Sequence, residues 1–172
     1  MEGIRATVIG AGEYTIQASG NTSYISSTET MPAFGLKVIR ALIDPDEPAE
    51  QSIKSALTKF DLPCYTSGLA LALSLNGQLD YQLIKKVADG IEAVLKKSDA
   101  PSAPLFLILD IDVAKSLGGI LKEELKVRQE IIAVDGIDVG DLDFIDIGRP
   151  MGITEVIPVT IRSFMFPTSK LG

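Results

Sequence analysis

The chain has 172 residues, so we expect one domain, with or without a small appendage. Its net charge is −7, which makes nucleic acid a poor candidate ligand, because binding to phosphates requires clustered cations. It contains no histidine and one cysteine, Cys64, which excludes a histidine base, a histidine metal ligand and a disulfide within the chain. No apolar run approaches the roughly 20 residues that span a bilayer, and the first residues do not resemble a secretory signal, so a cytoplasmic protein is expected.

The first predicted elements are two strands around a glycine turn. Arg5–Ile9 is an apolar-rich segment, Gly10–Gly12 supplies Gly-x-Gly, and Tyr14–Ser19 alternates apolar and polar side chains with period two. We expect Arg5–Ile9 and Tyr14–Ser19 to pair antiparallel as a hairpin. A third strand, Ser23–Ser27, is predicted after the turn residues that follow the hairpin.

The middle of the chain alternates between predicted helices and buried strands. Residues 31–46 are bordered by prolines, and we expect an irregular connection there with a short strand at Leu36–Ile39. Helical spacing follows at Ile53–Phe60, and the clearest helix covers Asp80–Lys97. Two continuous apolar runs predict buried strands that lie parallel in the sheet, Leu69–Leu75 and Leu105–Leu109.

After the second buried strand, Asp112 is predicted to cap a helix that extends to Leu125. Gly118-Gly119 inside that helix indicates close packing, because each glycine costs a helix about 1 kcal/mol relative to alanine.

The C-terminal part is predicted to be rich in strands. The expected strands are Glu130–Val134, Asp143–Ile147 and Val156–Phe166. Pro158 has no N–H, so we expect Val156–Phe166 to be a bent or bulged edge strand that pairs with Asp143–Ile147.

This order of elements predicts an α/β fold with a mixed sheet and helices on its faces. It is also the order of the ribonuclease H-like fold, on which the actin and Hsp70 ATPases build their lobes. We expect a ribonuclease H-like lobe over residues 1–128 and a β-rich C-terminal extension, packed on it, over residues 129–172.

The glycine turn allows more than one interpretation. A Rossmann fingerprint fails, because Thr15 stands where the third glycine belongs and a strand follows in place of a helix. A phosphate-binding hairpin would use the backbone amides of Gly10, Ala11 and Gly12 and the hydroxyl of Thr15. A plain hairpin needs the same glycines for positive φ, and Glu13 in the turn would repel phosphate.

Other candidate residues are acidic. Asp110 and Asp112 follow a predicted strand, and ligands of open α/β sheets bind at the carboxyl ends of strands, although helix capping also accounts for Asp112. Calcium binding and turn capping both remain open for the dense acidic group at the end of the chain. That group consists of Asp135, Asp138, Asp141, Asp143 and Asp146. No catalytic set and no metal site emerges from the residues.

Two stretches resemble the EutA family, the reactivating factors of ethanolamine ammonia-lyase. They are RATVIGAGEYTIQASGNTSYIS near the start and GDLDFIDIGRPMGITEVIPVTIRSFMFP near the end. The resemblance implies a chaperone-like ATPase of the actin–Hsp70 superfamily that uses ATP and magnesium to release damaged cobalamin from the lyase.

The resemblance also implies that this chain corresponds to the C-terminal portion of such a protein. The family's Asp-x-Gly-Thr-Thr phosphate motif belongs to the N-terminal portion, so the expected partners are the lyase and that missing half. No tightly bound cofactor is expected on this chain, and the predicted nucleotide contacts are Gly10, Ala11, Gly12, Thr15 and Asp110. Two other functions remain open: an enzyme for a small metabolite near Asp110, and an interaction module.

Overall fold

The computed structural model describes residues 12–141, 143–153 and 155–163, and in these the backbone forms one eight-stranded mixed sheet. The strands, in chain order, are β1 Gly12–Ala18, β2 Tyr24–Ile25, β3 Ala33–Ile43, β4 Leu69–Leu75, β5 Leu105–Leu109, β6 Ile131–Asp135, β7 Phe144–Ile147 and β8 Ile157–Ser163. The helices are α1 Ala49–Lys59, α2 Tyr81–Lys96 and α3 Ala114–Gly119, which continues as a π-helical turn at Ile120–Glu124. No helix in the described ranges has the length and apolar character needed to cross a membrane.

The centre of the sheet is parallel, and its connections are helical. β3, β4, β5 and β6 are neighbours in that order, and α1, α2 and α3 connect them in turn. β4 and β5 are buried along their whole length, as expected for strands covered on both faces. The predicted parallel pair of buried strands is therefore confirmed.

The two faces of the sheet are covered in different ways. The helices pack on one face only, where Leu71 and Leu107 contribute to a core with Ile53 and Ile91. The other face is covered by the sheet itself, because the sheet curls and Ile145 and other side chains of the antiparallel strands meet β4–β6 in a second core. The sequence predicted helices on the faces of the sheet, and the described helices cover one of them.

The curl follows from the order of the strands. The sheet order is β1-β8-β7-β3-β4-β5-β6-β2, so β1 and β2 are the two edge strands. They follow one another in the chain and are joined by residues 19–23. This short connection brings the two edges close together. Gly20 within it packs against Glu155 so closely that a Cβ there would lie 2.1 Å from the Glu155 carbonyl oxygen. A side chain at position 20 would therefore force this connection away from residue 155.

The prediction of an irregular connection over residues 31–46 is wrong. β3 spans Ala33–Ile43 and pairs with β4 on one side and β7 on the other. Pro32 and Pro45 lie just outside the strand, so they mark its ends and do not interrupt it. Gly35, at φ 64°, accommodates the irregular pairing with β7 between Ala33 and Leu36.

β8 pairs with β7 as predicted, but the edge position and the bulge predicted for it are wrong. β8 lies between β1 and β7, and its pairing with β1 is regular from Gly12 to Ala18. The Pro158 carbonyl accepts a hydrogen bond from the Gly148 N–H at 2.8 Å, just past the end of β7. Since N and C=O of one strand residue face the same side, the proline nitrogen also faces that side and removes no bond from the β1 ladder.

Two predictions concern chain segments that the structure does not test. Arg5–Ile9, the proposed hairpin partner of β1, lies outside the described residues, as do residues 164–166 at the end of the predicted last strand. The boundary at residue 128 stays a prediction, although β6, β7 and β8 beyond it belong to the same sheet as the earlier strands.

Candidate functional site

The predicted nucleotide contacts that the structure describes, Gly12, Thr15 and Asp110, lie on different parts of the sheet. Gly10 and Ala11 lie outside the described residues. Gly12 begins β1 and pairs with Ser163, and nothing lies within 4 Å of a Cβ built at position 12. Thr15 follows on the same strand, whereas Asp110 comes directly after β5, with four strands between them in the sheet order. The nucleotide contact at these positions stays a prediction.

The hydroxyl of Thr15 contacts a partner within the protein. Thr15 Oγ1 lies 2.9 Å from Thr160 Oγ1 of β8, which is its direct cross-strand partner. Such pairs stabilise antiparallel sheets by a few tenths of a kcal/mol to about 1 kcal/mol. A phosphate oxygen at Thr15 would therefore compete with an existing hydrogen bond.

A bidentate ion pair lies on the same face of the sheet. Arg162 donates to both carboxylate oxygens of Asp146, at 2.6 and 2.9 Å, and Asp146 also accepts from the Gly35 N–H at 2.7 Å. The Arg162 hydrogen bonds lower the pKa of Asp146 below its usual value. This carboxylate therefore ties β7, β8 and the irregular start of β3 together.

The pKa of Asp146 leads to a prediction for acid stability. The pKa of Asp146 is lower in the folded chain than the value of about 3.9 that is expected in the unfolded chain. The ionised carboxylate therefore contributes fully to folding stability above the unfolded pKa, and this contribution is lost as the pH falls through the folded pKa. We expect Asp146→Asn to lower the free energy of unfolding by about 1–2 kcal/mol at neutral pH. The difference from the wild type should shrink in acid, as measured by urea denaturation at several pH values.

Asp89→Asn provides the matched control, because Asp89 forms an exposed pair with Lys85 within α2 at 2.8 Å. Exposed pairs of this kind contribute about 0.3–0.5 kcal/mol. The proposed role of Asp146 would be contradicted if both variants lose the same free energy of unfolding, or if the loss for Asp146→Asn does not change with pH.

The carboxyl ends of the parallel strands form an acidic edge. The four connections that leave them, residues 44–48, 76–80, 110–113 and 135–143, contain Asp and Glu but no Lys or Arg. α1, α2 and α3 begin at this edge, where the positive ends of helix dipoles favour carboxylates. The local structure therefore accounts for part of the acidic charge without a ligand.

Asp135 is the most constrained carboxylate of this edge. It is only 8% exposed, and it accepts hydrogen bonds from the Thr22 hydroxyl at 2.9 Å and the Ala114 N–H at 3.1 Å. Burial raises its pKa, and the neighbouring Asp112 acts in the same direction. Two carboxyl groups with different surroundings are a common acid–base arrangement, but both oxygens of Asp135 already hold the fold together.

The predicted cap of α3 is therefore wrong. Val113 precedes the helix, with no side-chain cap, and Asp135 at the end of the next strand accepts the Ala114 N–H in place of Asp112. A sequence signal for Asp135 exists: Asp110 and Asp135 each follow a run of apolar residues that forms a buried strand. The pattern locates the strand ends but not which carboxylate turns towards the helix.

Asp141 and Asp143 also have structural partners. Asp141 accepts from the Arg40 N–H at 2.9 Å and pairs with Lys59 at 3.1 Å, and Asp143 accepts from the Gly140 N–H at 2.8 Å. Within the described residues no three His, Cys, Asp or Glu side chains come together as a metal site. Asp135, Asp141 and Asp143 thus hold backbone groups in place, and the geometry shows no complete catalytic set in the described part of the chain.

Comparison with known proteins gives a family. The model of the family described as "Ethanolamine utilisation protein EutA" matches residues 1–167. The chain is 32% identical over 165 residues to the ethanolamine ammonia-lyase reactivase EutA of Salmonella typhimurium, and 30% identical over 165 residues to that of Escherichia coli. No solved structure matches the chain.

The relatives are much longer than this chain. Each alignment covers 96% of the chain but 34% of the relative, and the matched part is C-terminal. The family match extends over both stretches that carried the resemblance and over the whole described sheet between them. The chain therefore belongs to the EutA family of ethanolamine utilisation proteins.

Proposed function

We propose that this chain is the C-terminal lobe of a chaperone-like reactivating factor for adenosylcobalamin-dependent ethanolamine ammonia-lyase, and that it assists the release of damaged cobalamin. The observation that carries the proposal is the alignment of 96% of the chain with two proteins named as reactivases of this lyase. Because the chain spans about a third of their length, we propose that it works together with the N-terminal portion of such a protein.

The mixed sheet supports a ribonuclease H-like lobe as the finer fold assignment. Four parallel strands, β3, β4, β5 and β6, lie beside two antiparallel strands, β7 and β8, with helices connecting the parallel ones. Sheets of this kind carry ligands at strand ends in many proteins, but fold alone does not establish function.

The described residues do not fit a complete site for ATP and magnesium. The Thr15 hydroxyl is bonded to Thr160, Glu13 brings negative charge next to Gly12, and no three-ligand group for a metal is present among the described residues. We infer that the N-terminal portion supplies most contacts to the nucleotide. No step of the reaction is assigned to this chain.

The direct experiment measures binding of the purified chain to purified ethanolamine ammonia-lyase by biolayer interferometry. We expect saturable binding to the lyase. We also expect that lyase containing damaged cobalamin recovers turnover with ATP and magnesium only when the chain is combined with the N-terminal two-thirds of a relative. No binding to the lyase, together with no recovery from the combined parts, would overturn the proposal.

A control on the same preparation measures phosphate release from ATP by the chain alone. We expect no release above background and a nucleotide affinity no better than about millimolar, near −4 kcal/mol. Phosphate release by the chain alone that disappears in Gly12→Val would show instead that the glycine turn is a working site. Turnover of a small metabolite without the lyase would favour an enzyme.

A further inference from the structure

We propose that the groove between the end of α2 and residues 125–129 binds an acidic peptide segment of a partner protein. The groove has a volume of about 390 Å³, and the residues that matter most for the proposal are Leu95, Lys96, Lys126, Val127, Arg128 and Gln129. It lies where α2 ends and β6 is about to begin, so it is at the opposite end of the parallel strands from the acidic edge. This inference does not depend on the reactivase role, because it concerns a different surface and names its partner only by chemistry.

The rim of the groove carries unpaired positive charge. Lys126 and Arg128 form no ion pair with any residue in the described ranges, and Lys96 contacts Glu92 at 3.5 Å. In a chain with a net charge of −7, the groove has a local surplus of cations, because its lining contains Lys96, Lys126 and Arg128 but only one acidic residue, Glu92. Such complementarity increases the rate and specificity of association.

The loop that presents these cations is held in place before any ligand binds. Lys122 Nζ donates to three successive carbonyls, those of Val127 at 3.0 Å, Arg128 at 3.4 Å and Gln129 at 2.9 Å. Lys126 has φ 56°, which turns the chain sharply after the π-helical turn. A preformed loop loses little conformational freedom on binding, which favours affinity.

The wall of the groove contains a polar group that lacks a partner. Gln129 is only 8% exposed, and its side-chain amide has no hydrogen bond to any described residue. The amide nitrogen and oxygen still reach solvent, because among the described residues only Thr30 Oγ1 is a fully buried side-chain polar atom without a partner. The Gln129 amide is therefore available to hydrogen-bond a ligand in the groove.

The combination of groups favours a peptide over a phosphate as the ligand. The amide of Gln129 both donates and accepts, which matches the C=O and N–H of a peptide group. Leu95 and Val127 are buried apolar residues that line the groove and can contact an aliphatic side chain. Carboxylates on either side of that side chain would pair with Lys126 and Arg128. We therefore expect Asp or Glu residues around one aliphatic residue.

The test is an NMR titration of the whole chain with the peptide acetyl-Asp-Glu-Leu-Glu-Asp-amide. We expect shifts at residues 95–101 and 125–129, and weaker binding as the salt concentration rises. The lysine-containing peptide acetyl-Lys-Lys-Leu-Lys-Lys-amide should cause no such shifts. Absence of shifts at the groove with about 5 mM acidic peptide, several times a millimolar dissociation constant, would overturn the proposal.

Two variants separate binding from folding. Arg128→Glu should weaken binding about tenfold or more, whereas Lys54→Glu, the same kind of change on exposed α1, should leave it almost unchanged. Gln129→Met keeps the size of the side chain and removes the amide, so we expect several-fold weaker binding with almost unchanged stability. A loss of stability in Gln129→Met with unchanged binding would assign Gln129 a structural role only and contradict the proposal.

Binding to a second copy of this chain is another outcome that the same samples reveal. Sedimentation that shows salt-dependent self-association, lost in Arg128→Glu, would mean that an acidic surface of another copy occupies the groove, and the proposal of a different partner would then be wrong.

Discussion

Replacing Gly90 by alanine is expected to destabilise the fold by about 2–3 kcal/mol, although alanine is the better helix former by about 1 kcal/mol. Gly90 lies in α2 where that helix crosses the start of α1. A Cβ at this position would lie 2.5 Å from the Glu50 nitrogen and 2.6 Å from the Ala49 Cβ. The backbone of α1 would have to move away, because neither of these atoms is the end of a flexible side chain. Urea denaturation measures the change in the free energy of unfolding.

Gly119→Ala is the matched control for this prediction. Gly119 also has helical geometry, at φ −62°, but nothing lies within 4 Å of a Cβ built there. The gain in helix propensity then acts alone and should stabilise the fold by up to about 1 kcal/mol. If both alanine variants are stabilised, the close contact between α1 and α2 does not limit the fold and the prediction is wrong.

The second large effect is expected for Leu71→Ala, which should lower the free energy of unfolding by about 2–5 kcal/mol. Leu71 is 0% exposed and lies on β4 in the core between the sheet and the helices. Truncation leaves a cavity that neighbours on both sides are too constrained to fill. Thermal and urea denaturation both report the loss.

The same substitution on the adjacent strand serves as the control. Leu42 lies near the end of β3 and is 63% exposed, so Leu42→Ala should change stability by no more than about 0.5 kcal/mol. Similar losses in the two variants would indicate that the exposed end of β3 is covered by something in solution, or that the core near Leu71 relaxes around the cavity.

The elements that the sequence predicts correctly have a characteristic pattern within their own segment. β4 and β5 are apolar at every position because both faces are covered, and α2 has an apolar stripe and an Asp80 side chain that caps Leu83. These signals lie within each segment, so the sequence alone was sufficient to predict the elements.

The predictions for β3, β8 and the cap of α3 were wrong because each of these features is determined by contacts between segments that are distant in the chain. β3 was predicted too short because its length is set by its pairing with β4 and β7. The position of β8 depended on β1, whose residues are far away in the chain. Asp135 replaced Asp112 at α3 because the fold brings the end of β6 to the helix. Sequence spacing contains no information on such pairings.

The same limit applies to the groove and to the ion pair. Arg162 and Asp146 are 16 residues apart and were not connected by any motif. Gln129 is an ordinary polar residue in the sequence, and its position in the wall of the groove is visible only in the structure. The roles of such residues can be inferred only when burial and partners are both known.

The location of β8 has a consequence for how the molecule folds. The side chains of Thr15 and Thr160 meet although they are 145 residues apart, so the antiparallel half of the sheet has a high contact order. β3, β4, β5 and β6 can assemble from neighbouring segments as they leave the ribosome, whereas β1 must wait for β8. Proteins dominated by such non-local pairings fold in milliseconds to seconds. During that interval β1 and β7 present open edges to other chains, and the speed at which β8 inserts between them governs the competition between folding and aggregation.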